Sequence, residues 1–76
     1  MPSEDRKHFI KGIVFRIMKT RKTLTNQALI QEAISQISQR FIPKIRDIKK
    51  AIEILIEQEY IERVEGQRGT FRYLGY

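Results

Sequence analysis

Three segments with helical apolar spacing, followed by two short β-rich runs around a two-glycine turn, predict an α+β domain that is mainly α. Helix, helix, helix, hairpin is the order of a winged helix: a three-helix core with a C-terminal β-hairpin packed on it as the wing. The chain has 76 residues, which suits one small domain. Residues 1–4 are read as an N-terminal flank and residues 5–76 as the domain.

The first helix is expected from about Asp5 to Thr20, because Phe9, Ile10, Ile13, Val14, Ile17 and Met18 recur at helical spacing. Ser3 is its expected N-cap, with Glu4 and Asp5 favourable in the first turn. Lys19, Arg21 and Lys22 fall at the C-terminal end, where cations suit the helix dipole. Thr23-Leu24-Thr25 breaks the period and could add a very short strand. The second helix is expected from Asn26 to Gln39, capped by Thr25, with Leu29, Ile30, Ala33, Ile34 and Ile37 facing inward. The third is expected to start at Pro43, a residue favoured at the first helical position, and to run to Glu57 or Gln58. Its apolar stripe is Ile45, Ile48, Ile52, Leu55 and Ile56. The period then changes: Tyr60–Val64 and Thr70–Leu74 read as strands, and Glu65-Gly66-Gln67-Arg68-Gly69 as the turn between them. The expected core contains Ile13, Ile17, Ile30, Ile34, Ile48, Ile52 and Leu55.

Composition removes several function classes. With no Cys and one His there is no Cys/His zinc site, disulfide framework, iron–sulfur site or cysteine nucleophile, and no cofactor is expected. The lack of Cys favours an intracellular location. No apolar run approaches the roughly 20 residues of a membrane span, and no membrane partner is expected. The acidic start has no apolar stretch behind it, so it is not read as a signal peptide. His8 has no companion at ligand spacing, Ser35 and Ser38 have no His/Asp constellation, and no phosphate-binding glycine motif is present. Nothing in the sequence supports an enzyme active site or a metal site.

The charge is uneven. The chain carries a formal +6, and residues 1–24 hold seven Lys/Arg against two Asp/Glu. At roughly 100° per residue, Lys19 lies roughly 190° from the centre of the first helix's apolar arc, so it points to solvent. His8, Gly12, Phe15 and, further round, Arg16 share that outer side. On physics alone Lys19 is a surface lysine serving the helix dipole. Phe15 is either a partner contact or one of the scattered surface apolar residues that folded proteins carry. The outward side of the third helix carries Arg46, Asp47, Lys50, Glu53, Ile54 and Glu57. Two cations against three anions match a DNA backbone poorly. Lys49 with Glu53 and Asp47 with Lys50 look like helix-surface pairs. In the wing, Glu62 and Glu65 sit beside Arg63, Arg68 and Arg72.

The segment Ile13-Val14-Phe15-Arg16-Ile17-Met18-Lys19, followed by Thr20-Arg21-Lys22, resembles the neddylation-domain motif of the cullin family, usually I-V-R-I-M-K-x-R-K. The resemblance continues through Asn26–Glu32, Arg40-Phe41-Ile42-Pro43, Ile48–Glu53 and Glu59–Arg63, and closes with Thr70-Phe71-Arg72-Tyr73-Leu74. Phe15 departs from it, standing where a small aliphatic residue is usual, and Leu74-Gly75-Tyr76 ends two residues past the usual stop. The resemblance implies the C-terminal winged helix of a cullin, the scaffold of a multisubunit RING ubiquitin ligase. It implies that Lys19 accepts the ubiquitin-like neddylation modifier through an isopeptide bond, which activates the ligase. Phe15, Arg16, Arg21 and Lys22 would be partner contacts around that acceptor. The implied partners are the modifier and its conjugating enzyme, the RING subunit, a deneddylase and a cullin exchange factor. The implied location is cytoplasm and nucleus. The competing readings are a DNA-binding winged helix, with at most weak non-specific nucleic-acid binding expected here, and a protein-interaction module without modification.

Overall fold

The structure, a computed structural model, describes the backbone of residues 3–75 and the side chains of residues 5–75. Its elements are α1 (Ser3–Arg21), β1 (Thr23–Thr25), α2 (Asn26–Ile37), α3 (Ile45–Glu57), β2 (Ile61–Arg63) and β3 (Thr70–Tyr73). The three helices pack on one another, and the strands form an antiparallel sheet in the order β1-β3-β2. This is the winged-helix arrangement expected from the sequence.

Helix α1 begins two residues before the expected boundary, at Ser3. The cap assigned to Ser3 and the first-turn carboxylate of Glu4 lie outside the described side chains. The inward side of α1 is Ile10, Ile13, Val14, Ile17 and Met18, all buried. The helix stops because Lys22 takes a left-handed backbone, φ 71°, and its N–H closes on the Met18 carbonyl at 2.7 Å. The Lys22 carbonyl then accepts from the Tyr73 N–H at 2.7 Å, which feeds the chain directly into the sheet. The brief strand β1 follows, pairing Leu24 with Phe71 and Thr25 with Thr70.

Helix α2 is capped as expected: the Thr25 side chain accepts from the Ala28 N–H at 3.2 Å. It ends at Ile37 rather than Gln39. Leu29, Ala33 and Ile37 form the inward line, four residues apart, so Ile30 and Ile34 flank it half-buried and are not core.

Helix α3 starts at Ile45, not at Pro43, because its first carbonyl acceptor is Lys44, bonded by the Asp47 and Ile48 N–H groups. The N–H groups of Arg40 and Phe41 still bond Ile37, and proline keeps the residue before it extended, so Phe41–Lys44 form a bridge outside the helix. The stripe shifts accordingly. Ile48, Ala51, Ile52 and Leu55 are buried, whereas Ile45 is 52% exposed and Ile56 only half-buried. Two phenylalanines pin the bridge: Phe41 packs against Phe9 with centroids 5.9 Å apart and the rings tilted by 54°, Arg6 lies over Phe41 and Arg40 lies over Phe9.

Helix α3 closes with Glu59 in the left-handed region at φ 65°. The Tyr60 N–H bonds Leu55 O, and the Glu59 N–H bonds Ile56 O. The hairpin pairs Ile61 with Tyr73 and Arg63 with Phe71. Its turn needs left-handed backbone at Gly66 and Gly69, φ 83° and 75°, which glycine adopts without steric cost. The Gly69 carbonyl accepts from the Asn26 N–H at 2.6 Å, tying the wing to the start of α2.

Two stability measurements check this packing. Leu55 is 1% exposed, so Leu55→Ala should cost about 2–5 kcal/mol in urea unfolding. A loss under about 0.5 kcal/mol would contradict its burial. A non-glycine residue in the left-handed region carries strain, and glycine is the preferred residue at this helix-closing position. Glu59→Gly should therefore raise stability by about 0.5–1 kcal/mol, seen as a higher urea midpoint with unchanged slope.

Candidate functional site

Lys19 sits in the last turn of α1, directly after Ile17 and Met18. Those two side chains are 3% and 0% exposed, so the backbone that carries Lys19 is fixed by the core while its own side chain stands in solvent. Among the described residues it has no hydrogen-bond or ion-pair partner.

The four residues expected around it are treated differently by the fold. Arg21 reaches α2 and pairs with Glu32 at 3.1 Å. Its side chain is more than half exposed, so the pair contributes only about 0.2–1 kcal/mol, but it occupies the guanidinium. Lys22 places its Nζ 4.9 Å from the Tyr73 ring centroid. Arg16 is exposed and unpaired among the described residues. Phe15 is not the free surface aromatic that its helical phase suggested. It is half-buried, edge-on to Tyr60 at 5.3 Å and to Tyr73 at 5.8 Å. The turn after α3 and the end of β3 fold back over α1, which its periodicity alone does not reveal. The aromatic line Tyr60–Phe15–Tyr73 thus joins the α3 end, α1 and the sheet beside the lysine.

The side of α3 that would face DNA in a DNA-reading winged helix is of mixed sign. Arg46, Lys49, Lys50, Glu53 and Glu57 are exposed, and Asp47 and Ile54 are half-buried. The pairs expected within α3 are replaced by a longer-range one: Glu53 binds Arg63 of β2. Antiparallel pairing sets Arg72 opposite Glu62, and these two also form an ion pair. Of the three wing arginines only Arg68 is unpaired among the described residues. No group of described His, Asp or Glu residues has metal-site geometry. No described helix is long and apolar enough to cross a membrane.

These features define a winged-helix domain whose third helix and wing are of mixed charge and whose first helix carries an exposed lysine in its last turn. The sequence model for the cullin protein neddylation domain matches residues 5–67. The chain is 54% identical over 70 residues to Cullin-6 of Caenorhabditis elegans, covering 92% of this chain and 10% of that protein. It is 51% identical over 71 residues to Cullin-1 of Dictyostelium discoideum, covering 93% of this chain and 9% of that protein. It therefore spans about a tenth of the length of these relatives. Among solved structures it superposes with a TM-score of 0.90 on a chain from a study of a dual E3 mechanism for Rub1 ligation to Cdc53, Dcn1(P)-Cdc53(WHB). The identity there is 33%, over 95% of this chain and 83% of that one. The chain belongs to the cullin family, and its matched region is the family's neddylation domain.

The charge pattern makes nucleic-acid binding a direct check. The basic first third should give some low-salt attraction to random duplex, fading by about 150 mM salt and showing no sequence preference. Nanomolar binding to one duplex site at that salt, in a fluorescence-anisotropy titration, would contradict the surface described here.

Proposed function

We propose that this domain is the acceptor of a ubiquitin-like neddylation modifier in a cullin scaffold of a multisubunit RING ubiquitin ligase, with Lys19 as the modified residue. The observation that carries the reading is the position of Lys19. It closes the Arg16-Ile17-Met18-Lys19 segment, within the region that matches the neddylation domain, and is exposed at the end of a core-anchored helix.

In the reaction, the Lys19 Nζ attacks the thioester carbonyl that joins the modifier's C-terminal glycine to a cysteine of the conjugating enzyme. A C–N bond forms, the C–S bond breaks, the thiol leaves and the amine loses its protons to the surroundings. Aminolysis requires a neutral amine, and lysine amines in water are almost wholly protonated at neutral pH. No described carboxylate is paired with Lys19, so the conjugating enzyme supplies proton removal. The domain supplies a fixed attachment point and a flexible stem, and orientation of this kind is worth several kcal/mol of barrier. The domain is the substrate of this step and not its catalyst. Its partners in this reading are the modifier, the conjugating enzyme, the RING subunit, a deneddylase and a cullin exchange factor. It acts in cytoplasm and nucleus.

A reconstituted conjugation reaction followed by peptide mass spectrometry tests the assignment. Lys19→Arg keeps charge and length but offers a guanidinium that is essentially never neutral. It should abolish conjugation while leaving stability within about 0.5 kcal/mol. Lys22→Arg keeps the cation over Tyr73 and should leave conjugation largely intact. Undiminished modification of Lys19→Arg, with Lys11 or Lys22 carrying the modifier in the wild type, would overturn the assignment.

A further inference from the structure

The backbone of Lys19 lies inside the last ring that α1 closes, in which the Lys22 N–H donates to the Met18 carbonyl at 2.7 Å. If that bond opens, the Lys19 backbone is no longer held in the helix. The closure rests on Lys22, whose carbonyl in turn accepts from the Tyr73 N–H at 2.7 Å. Position 22 thus stitches the turn that carries Lys19 to strand β3.

Side chains repeat this connection. Phe15 stands four residues before Lys19 and Lys22 three after it, spacings that make neighbours along one helix side. Both contact the same ring. Phe15 meets Tyr73 edge-on with centroids 5.8 Å apart, and the Lys22 Nζ lies 4.9 Å from the Tyr73 centroid. Tyr73 is 9% exposed and pairs with Ile61 in the sheet, so its ring is a fixed post. The turn of Lys19 is therefore bracketed against that post from both ends.

The residue at position 22 is not the one the backbone prefers. At φ 71°, glycine or asparagine would close the helix with less strain than lysine. Neither would set a cation over the ring. Lysine contributes something other than backbone fit: an attraction between ammonium and ring that opposes opening of the bond to Met18.

Resting on the acceptor reading above, we infer that Lys22 is a positioning residue for conjugation: its ammonium on Tyr73 holds the last turn of α1 closed and so fixes the direction from which the Lys19 amine approaches the thioester. Lys22 acts through the backbone of Lys19 and touches no reacting atom. Attack on a carbonyl needs alignment, and a loosened turn spreads the amine over directions that do not react. The contact therefore bears on kcat. A lysine that instead bound a partner directly would bear on KM.

The test is steady-state conjugation at Lys19 with the concentration of this chain varied, together with amide hydrogen exchange in the free chain. Lys22→Asn tolerates left-handed backbone and removes the cation. Its kcat should fall about three- to fivefold, the scale of one exposed cation–ring contact, with KM within about twofold. Protection of the residue 22 amide should fall by about the same factor. Relieved strain offsets the lost contact, so the variant should melt within about 4 °C of the wild type. Lys22→Arg should restore both readouts. In a Tyr73→Leu chain, which offers no ring, Lys22→Asn should cost nothing further. Arg68→Asn removes an unpaired cation from the wing and should change neither readout. Wild-type kcat in Lys22→Asn would overturn the inference and leave the acceptor reading intact, whether or not Tyr73→Leu folds. So would a rise in KM alone, which would make Lys22 a partner contact, or a fall in kcat with unchanged protection. A loss that vanishes as pH is raised would assign the effect to charge and overturn positioning as well. Absence of conjugation at Lys19 in the wild type would remove both readings.

Discussion

Ile10, Val14, Ile17 and Met18 run along the inner side of α1, each no more than 3% exposed, and α2, α3, β1 and β3 pack against this helix. Helices α2 and α3 bring Leu29, Ala33 and Ile37, and Ile48, Ile52 and Leu55, against this strip. A domain of this size buries only about 60% of its unfolded surface, so one contiguous cluster must supply most of the hydrophobic driving force. The strip runs to within one residue of Lys19, so the lysine's backbone shares the rigidity of the core although its amine makes no contact with it. Fixing the base of the side chain while leaving its tip free is what the proposed acceptor role of Lys19 requires. Burial of the amine would raise the cost of charging it, and a frayed helix end would lose the orientation.

The same fold accounts for how the charge is used. A formal +6 on 76 residues invites a nucleic-acid reading, but the sheet register and the α3–β2 packing place Glu62 against Arg72 and Glu53 against Arg63. These exposed pairs contribute little stability. In the third helix and wing Arg46, Lys49, Lys50 and Arg68 have no ion pair among the described residues, and Asp47, Glu57 and Glu65, also without one, set nearly equal negative charge against them. Helix α1 carries Lys7, Lys11, Arg16 and Lys19 exposed or half-buried along its outer sides, and its only acids are Glu4 and Asp5 near its start. The basic excess thus lies on the helix that presents Lys19, the proposed acceptor, and not on the third helix and wing.

Element order, the Thr25 cap, the hairpin and most of the core were legible because each rests on local spacing or local chemistry. The errors cluster where distant segments meet. Pro43 looked like a helix start, but the bonds from Arg40 and Phe41 back to Ile37, with the Phe9–Phe41 contact, commit that stretch to a bridge. Ile30 and Ile34 looked inward by period alone, yet a helix packed on one side needs only the line of Leu29, Ala33 and Ile37. The exposure of Lys19 was legible from helical phase. The half-burial of Phe15 was not, because it depends on Tyr60 and Tyr73 arriving from the other end of the chain. The sequence pattern did contain the stripe His8, Gly12, Phe15, Lys19. What it lacked was the approach of Leu55 and Tyr60 from α3 and the turn after it, which line a hollow with His8, Gly12 and Phe15.

Two non-glycine residues in left-handed backbone, Lys22 and Glu59, mark the points where the aromatic line Tyr60–Phe15–Tyr73 is assembled. Each ends a helix and reverses the chain within one residue, and each carries strain that glycine would not. At Lys22 the reversal lets its carbonyl take the Tyr73 N–H and sets its ammonium over the Tyr73 ring. At Glu59 it brings Tyr60 round onto Phe15. The two strained turns therefore deliver the two tyrosines that hold Phe15 between them. Glycine at position 22 would relieve strain but remove the cation from the ring, whereas Glu59 has no side-chain partner among the described residues to lose. Strain at the first turn is thus coupled to a contact beside Lys19, and strain at the second only to the path of the backbone.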